Sequence, residues 1–148
     1  MTAKNLNELK KKLEVAVNEA LKQEVTDAIR NEQIEQIQAL VYGAYPEPKV
    51  YERRYGNGGL MDGDNINGVV VNGRLVVSND TPPNPNARDG ATTDKNLIEV
   101  IETGVGYDYS PNPGARPFIN ATVIALESSN AVGNALKSGL KRQGLKVK

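Results

Sequence analysis

The chain has 148 residues, 18 Lys+Arg against 18 Asp+Glu, and neither cysteine nor histidine. That length suits one domain burying roughly 68–70% of its unfolded surface, and zero net charge excludes a surface that is one electrostatic trap for nucleic acid. The missing residues exclude disulfides, thiol nucleophiles, thiolate metal sites and the commonest general base, so any enzyme would depend on carboxylate, lysine, tyrosine or hydroxyl chemistry.

The N-terminal stretch is Lys-rich and amphipathic, without the apolar run of a secretory signal. No 18 consecutive residues are apolar, so no membrane-spanning segment is expected. The expectation is a soluble chain made in the cytoplasm. Aromatics are limited to six Tyr and one Phe, so the core must be mainly Leu, Ile, Val and Ala.

Residues 4–42 predict helix. Leu6, Leu9, Leu13, Val17, Ala20 and Leu21 recur at spacings of three and four, one face of a 3.6-residue period. No Gly or Pro interrupts until Gly43. A straight helix of that length would run roughly 58 Å, longer than the diameter of about 40 Å expected for a compact domain of this size. Residues 1–30 are therefore a candidate projecting arm of the single domain 1–148. The apolar stripe also rotates: Ile34, Ile37 and Val41 fall nearly opposite Leu6–Leu21. The polar stretch Arg30-Asn31-Glu32-Gln33 between them means either that the helix breaks or bends there, the preferred reading, or that one long helix feeds two different surfaces.

Residues 43–93 are turn-rich. Tyr45-Pro46-Glu47-Pro48 is barred from helix by its prolines, and Gly56-Asn57-Gly58-Gly59 reads as loop. Asn72-Gly73 between Ile66–Val71 and Leu75–Ser78 predicts a two-residue hairpin, because a type I′ turn needs positive φ at both positions. Thr81-Pro82-Pro83-Asn84-Pro85-Asn86 cannot continue as a central strand.

Helix returns with Leu97, Ile98 and Ile101, stopped at Gly104. After a loop at 107–114, a long final helix is expected from Arg116-Pro117, with the stripe Phe118, Ala121, Ala125, Ser129, Val132, Leu136 and Leu140. Ile119, Val123, Ile124 and Leu126 predict that its first two turns are buried on both sides. The fold class is thus α+β: a long N-terminal helical region, a small antiparallel sheet with an Asn-Gly hairpin, and a long C-terminal helix.

The chemical motifs are weak. Asp62-Gly63-Asp64-Asn65 starts like a calcium loop, but Ile66, Asn67 and Gly73 occupy the positions that need an oxygen ligand, glycine and glutamate. A polar turn leading into a strand is the simpler reading, and a carboxylate hydrolase at Asp62 and Asp64 has little support. Gly104-Val105-Gly106 follows a helix where a dinucleotide fingerprint needs a strand. Ser138-Gly139-Leu140-Lys141 lies late in a helix without partner motifs. Two groups of residues invite contact instead. Tyr42, Tyr45, Tyr51 and Tyr55 surround Arg53-Arg54, a composition suited to stacking on single-stranded nucleic acid, to packing, or to a protein interface. Lys137, Lys141, Arg142, Lys146 and Lys148 form a one-signed tail that complements a helix C-terminus or faces an anion.

Several short stretches carry a resemblance. They are Glu102 and Gly104 in Ile101-Glu102-Thr103-Gly104, then Arg116-Pro117-Phe118 opening the last helix, and Val41-Tyr42 with Tyr51-Glu52-Arg53-Arg54. Taken in order over residues 24–148, they resemble the tail-completion and head–tail joining proteins of tailed bacteriophages, the last pair resembling relatives from phages of Gram-positive hosts. The resemblance implies a small α+β subunit that assembles as a ring in the neck or upper tail of a virion, with no catalysis and no cofactor. Terminator, completion protein and adaptor remain open. The implied partners are further copies of the chain, neighbouring neck or tail proteins, and viral DNA in passing. The expected interface residues are Leu6, Leu9, Leu13, Val17, Arg53, Arg54, Arg116 and Phe118. Arg116 stands at a helix start, where a cation is unfavourable, so Glu102 or Glu99 is expected to compensate. The alternative is a small nucleic-acid-binding accessory protein using the Tyr/Arg group and the basic tail.

Overall fold

The computed structural model describes residues 2–44, 53–83, 96–107 and 111–148. Parts of the expected Tyr-Pro turn, the proline-rich stretch and the 107–114 loop lie outside these residues. The chain is α+β, as its patterning predicts.

The N-terminal helical region begins with α1 (Leu6–Ala20). Asn5 caps it, its side chain accepting from the Glu8 amide at 2.9 Å, while the Glu8 carboxylate accepts from the Lys4 amide at 2.7 Å. This reciprocal arrangement satisfies otherwise orphaned donors. A π turn (Leu21–Val25) leads into α2 (Thr26–Ile37), and a second π turn (Gln38–Tyr42) ends the region. The expected break at Arg30–Gln33 does not occur: α2 runs straight through it. Those polar residues serve a neighbour instead. Arg30 donates from Nε and Nη2 to the Ile66 carbonyl at 3.0 and 2.9 Å, and buried Gln33 accepts from Asn79 Nδ2 at 2.9 Å. The drifting stripe is corrected at Leu21–Val25. An i→i+5 turn holds about one residue more than an α turn and so resets the face by roughly 100°. Ala16, Ala20, Val25, Gln33, Ile37 and Val41 are thereby all buried along one continuous helix.

β1 (Ile66–Val71) and β2 (Arg74–Asn79) form an antiparallel pair in the register Ile66↔Asn79 to Val71↔Arg74. Asn72 and Gly73 have φ of 51° and 74°, as a primed two-residue turn demands. The hairpin lies on the long helix. At Gly68 a Cβ would stand 2.2 Å from Thr26 Oγ1, so only glycine allows this approach. The Thr26 hydroxyl donates to the Leu21 carbonyl at 3.0 Å, within the π turn.

α3 (Leu97–Thr103) is capped by Asn96 and ended by Gly104 at φ 72°. The C-terminal helical region is not one helix. α4 (Phe118–Glu127) and α5 (Ala131–Arg142) are separated by Ser128-Ser129-Asn130. The continuous stripe concealed this break, since both helices keep an apolar face toward the same long partner. α4 packs on α2, and α5 packs back along α1 and the first π turn. Val123 and Ile124 are exposed, so the first turns of α4 are covered on one side only, contrary to the sequence expectation.

The core lies at the C-terminal end of the long helix, where Ile37, Val41, Leu60, Ile101 and Phe118 converge. A second contact is made by small residues. Gly139 of α5 faces Ala20, and Gln143 Nε2 donates to the Ala16 carbonyl at 2.6 Å. Arg142 pairs with Glu24 across the same seam.

Candidate functional site

The first three turns of α1 carry an exposed apolar stripe. Leu6 is 79% exposed, Leu9 38% and Leu13 39%, while Val17 is half-buried. Together with Asn72 and Gly73 they line an open groove of about 760 Å³ between the helix and the hairpin tip. The four sequence-predicted residues of this stripe therefore do share one surface. Lys10 and Glu14 stand at its margin. Leu6, Leu9 and Leu13 thus form an exposed apolar stripe with charged residues beside it.

Tyr42, Arg53, Arg54 and Tyr55 lie elsewhere and are half-buried. The Tyr42 and Tyr55 rings stand 4.6 Å apart between centroids at 49°. Arg53 lies 5.5 Å above the Tyr42 ring and donates from Nη1 to the Tyr42 carbonyl at 3.2 Å. Burial raises the Tyr42 hydroxyl above its ordinary pKa. Arg54 Nη2 donates to the Pro82 carbonyl at 2.6 Å, tying the 53–62 loop to the segment after the hairpin. Both guanidinium groups thus donate to backbone carbonyls of neighbouring segments. Tyr45 and Tyr51 fall outside the described residues.

Arg116 and Phe118 separate from the groove. Arg116 donates to the Tyr107 hydroxyl. Phe118 is wholly buried, so it is a core residue and not the interface residue expected. The first turn of α4 inserts it among Ile37, Val41, Leu60 and Ile101. The helix start is compensated by Glu102, whose two oxygens accept from the Ile119 and Asn120 amides at 2.9 Å each. A carboxylate there satisfies first-turn donors and complements the dipole. Glu99 is exposed on α3.

Asp62 acts as a turn residue. It accepts from the Asp64 amide at 3.0 Å and the Gly58 amide at 2.7 Å, and these bonds hold its carboxyl below the ordinary range. Among the described residues no group of three or more carboxylates could hold a metal ion, and no helix is long and apolar enough to cross a membrane. In the basic tail, Arg142 is spent on Glu24, whose carboxyl it lowers.

One polar cluster was missed by sequence reasoning. Asn79 Nδ2 donates to Gln33 and, at 3.2 Å, to the Leu60 carbonyl, while the Thr81 hydroxyl donates to Asn79 Oδ1 at 2.5 Å. All three side chains are buried. The cluster locks the base of the hairpin to α2 and to the preceding loop. Its only sequence signal is that Gln33 shares a helix face with Ile29 and Ile37, four residues to either side.

This architecture is small and α+β, with the exposed Leu6, Leu9 and Leu13 stripe of α1 beside a hairpin. Residues 5–142 match the YomN family, and the chain belongs to that family. The family takes its name from a Bacillus phage-associated protein, and the chain is phage-related. No curated protein and no solved structure matches it.

Proposed function

We propose that the protein is a non-enzymatic virion subunit of a tailed bacteriophage, assembling as a homo-oligomeric ring in the neck or upper tail. The observation that carries this reading is the uncovered Leu6, Leu9 and Leu13 stripe beside the open groove at the hairpin tip. An apolar stripe that its own domain covers only in part suits a protein that is completed by a neighbour. Head-to-tail repetition of one such contact closes a ring when its rotation permits. Phage-related family membership and the resemblance over residues 24–148 support the setting. The role needs an interlocking surface and no catalytic group. The partners are further copies and adjacent neck or tail proteins, and the site of action is the virion after synthesis in the host cytoplasm.

The nucleic-acid alternative is less favoured, because Arg53, Arg54 and Arg142 are engaged within the fold. The test is the double substitution Leu9→Asp, Leu13→Asp in the phage that carries the gene. Both side chains are more than a third exposed, so the hairpin and C-terminal helices should fold unchanged. Purified virions should lack the variant by mass spectrometry. Incorporation at the normal copy number would refute the arm as an assembly surface.

A further inference from the structure

The hairpin carries a second unpartnered surface, distinct from the groove. Asp80 N donates to the Asn65 carbonyl at 2.7 Å, one step below the ladder. Hydrogen-bonded pairs alternate along an antiparallel ladder. This phase therefore makes Asn67↔Ser78, Val69↔Val76 and Val71↔Arg74 the hydrogen-bonded pairs. The backbone groups of Leu75 and Val77 consequently point outward from the free edge of β2. Among the described residues none bonds to them. The other edge is guarded: the Ile66 carbonyl of β1 is taken by Arg30.

The face of the hairpin turned away from the helix is bare as well. Val69 and Val76 are each 57% exposed and lie directly opposite one another. Natural edge strands are normally blunted by lysine, proline or a bulge, yet Arg74 is the only charged residue from Ile66 to Asn79. Arg74 is exposed at the tip and makes no ion pair among the described residues, while exposed Asp80 sits at the other end of the strand.

We propose that the free edge of β2 pairs antiparallel with the same edge of a second copy, about a two-fold axis at Val76. The register follows from the free groups. Leu75 of one copy and Val77 of the other exchange both backbone bonds, and the reciprocal pair does the same, giving about four bonds in all. Val76 then stands against Val76 of the second copy. The outer face becomes one unbroken row of four valines, Val69 and Val76 from each chain. Arg74 falls diagonally across from Asp80 of the other copy, within reach of a long side chain. The occupant is thus a second copy because its own edge supplies the matching valine, donors, acceptors and opposite charge. The free protein is then a two-fold dimer. This inference is independent of the neck reading, and either can fail alone.

The natural absence of cysteine makes the test direct. In this register the Cα atoms of the two Val76 residues lie about 4.5 Å apart, within disulfide range. The two Val69 residues are three strand spacings apart, roughly 14 Å, and out of range. Val76→Cys and Val69→Cys are made separately in the full chain, at positions of equal exposure. Each is oxidised under identical mild conditions and read by non-reducing electrophoresis. V76C should form the covalent dimer at least about tenfold faster than V69C, because only its thiols meet in bonding geometry. Equal rates, or no dimer from V76C, would overturn the proposal. Sedimentation of the unmodified protein provides a second reading: dimer should grow with concentration, and Arg74→Asp should suppress it while Arg74→Asp with Asp80→Arg restores it. A purely monomeric chain at millimolar concentration, or no rescue by the charge swap, would also overturn it.

Discussion

Gly139 offers a test in which two physical arguments give opposite signs. In an open helix position, Gly→Ala stabilises by about 0.8–1.0 kcal/mol through propensity. At Gly139 an added Cβ would stand 2.5 Å from Ala20 Cβ, 2.5 Å from Glu24 Oε2 and 2.9 Å from Ala20 Cα. Glu24 can swing aside, but the Ala20 backbone cannot. Overpacking of this kind costs about 1–3 kcal/mol. If α5 moves outward to relieve it, the Gln143 bond to the Ala16 carbonyl is lost, for about 1 kcal/mol more. Less the propensity gain, Gly139→Ala should destabilise by about 1–3 kcal/mol, or roughly 2–10 °C in Tm for a chain of this size. Gly133 lies in the same helix with nothing within 4 Å of its would-be Cβ. Gly133→Ala should therefore raise Tm, by up to about 4 °C. Thermal unfolding followed by far-UV circular dichroism reads both. A Gly139→Ala variant that melts at or above the unmodified protein would refute the close crossing of α5 on the long helix.

Glu102→Ala should remove the acceptors of the Ile119 and Asn120 amides and destabilise by about 0.5–2 kcal/mol in urea, with Glu102→Gln losing less; an unchanged midpoint would show that this cap contributes nothing. Stability should fall in acid. Glu8, Glu24 and Asp62 are all held below their ordinary pKa, Glu8 chiefly by Lys12, Glu24 by Arg142 and Asp62 by backbone amides. A carboxyl whose pKa is lower folded than unfolded lends stability that is complete above the unfolded value, 4.5 for glutamate, and is lost as pH falls through the folded one. Urea midpoints should thus be flat above about pH 5.5 and decline below about pH 4.5, with Glu24→Gln showing a shallower decline.

The readable features of the sequence were those that a few consecutive residues decide through their own backbone. Asn72-Gly73 demanded positive φ between two β-branched runs, and no distant residue was needed to see it. Gly104 ended α3 for the same reason, and the unbroken run of helix formers from Leu6 to Tyr42 announced a long helix. The leucine stripe of α1 was also legible, since its period is local. What the sequence concealed was settled between elements. The polar run Arg30–Gln33 looked like a break because its partners, the Ile66 carbonyl and Asn79, are 36 and 46 residues away. The two π turns could not be read from propensity, because they serve to rotate one helix face toward three different neighbours. The break at Ser128–Asn130 was masked by an apolar stripe that both α4 and α5 keep toward the long helix. Phe118 stood beside Arg116 in the chain, yet a single helical turn sends one into the core and leaves the other bonded to Tyr107. By composition Arg53 and Arg54 suited nucleic acid, packing or a protein interface, and only the packed loop shows one lying over Tyr42 and the other holding Pro82. Local backbone chemistry wrote the elements; the direction each face turned was decided by what lay across from it.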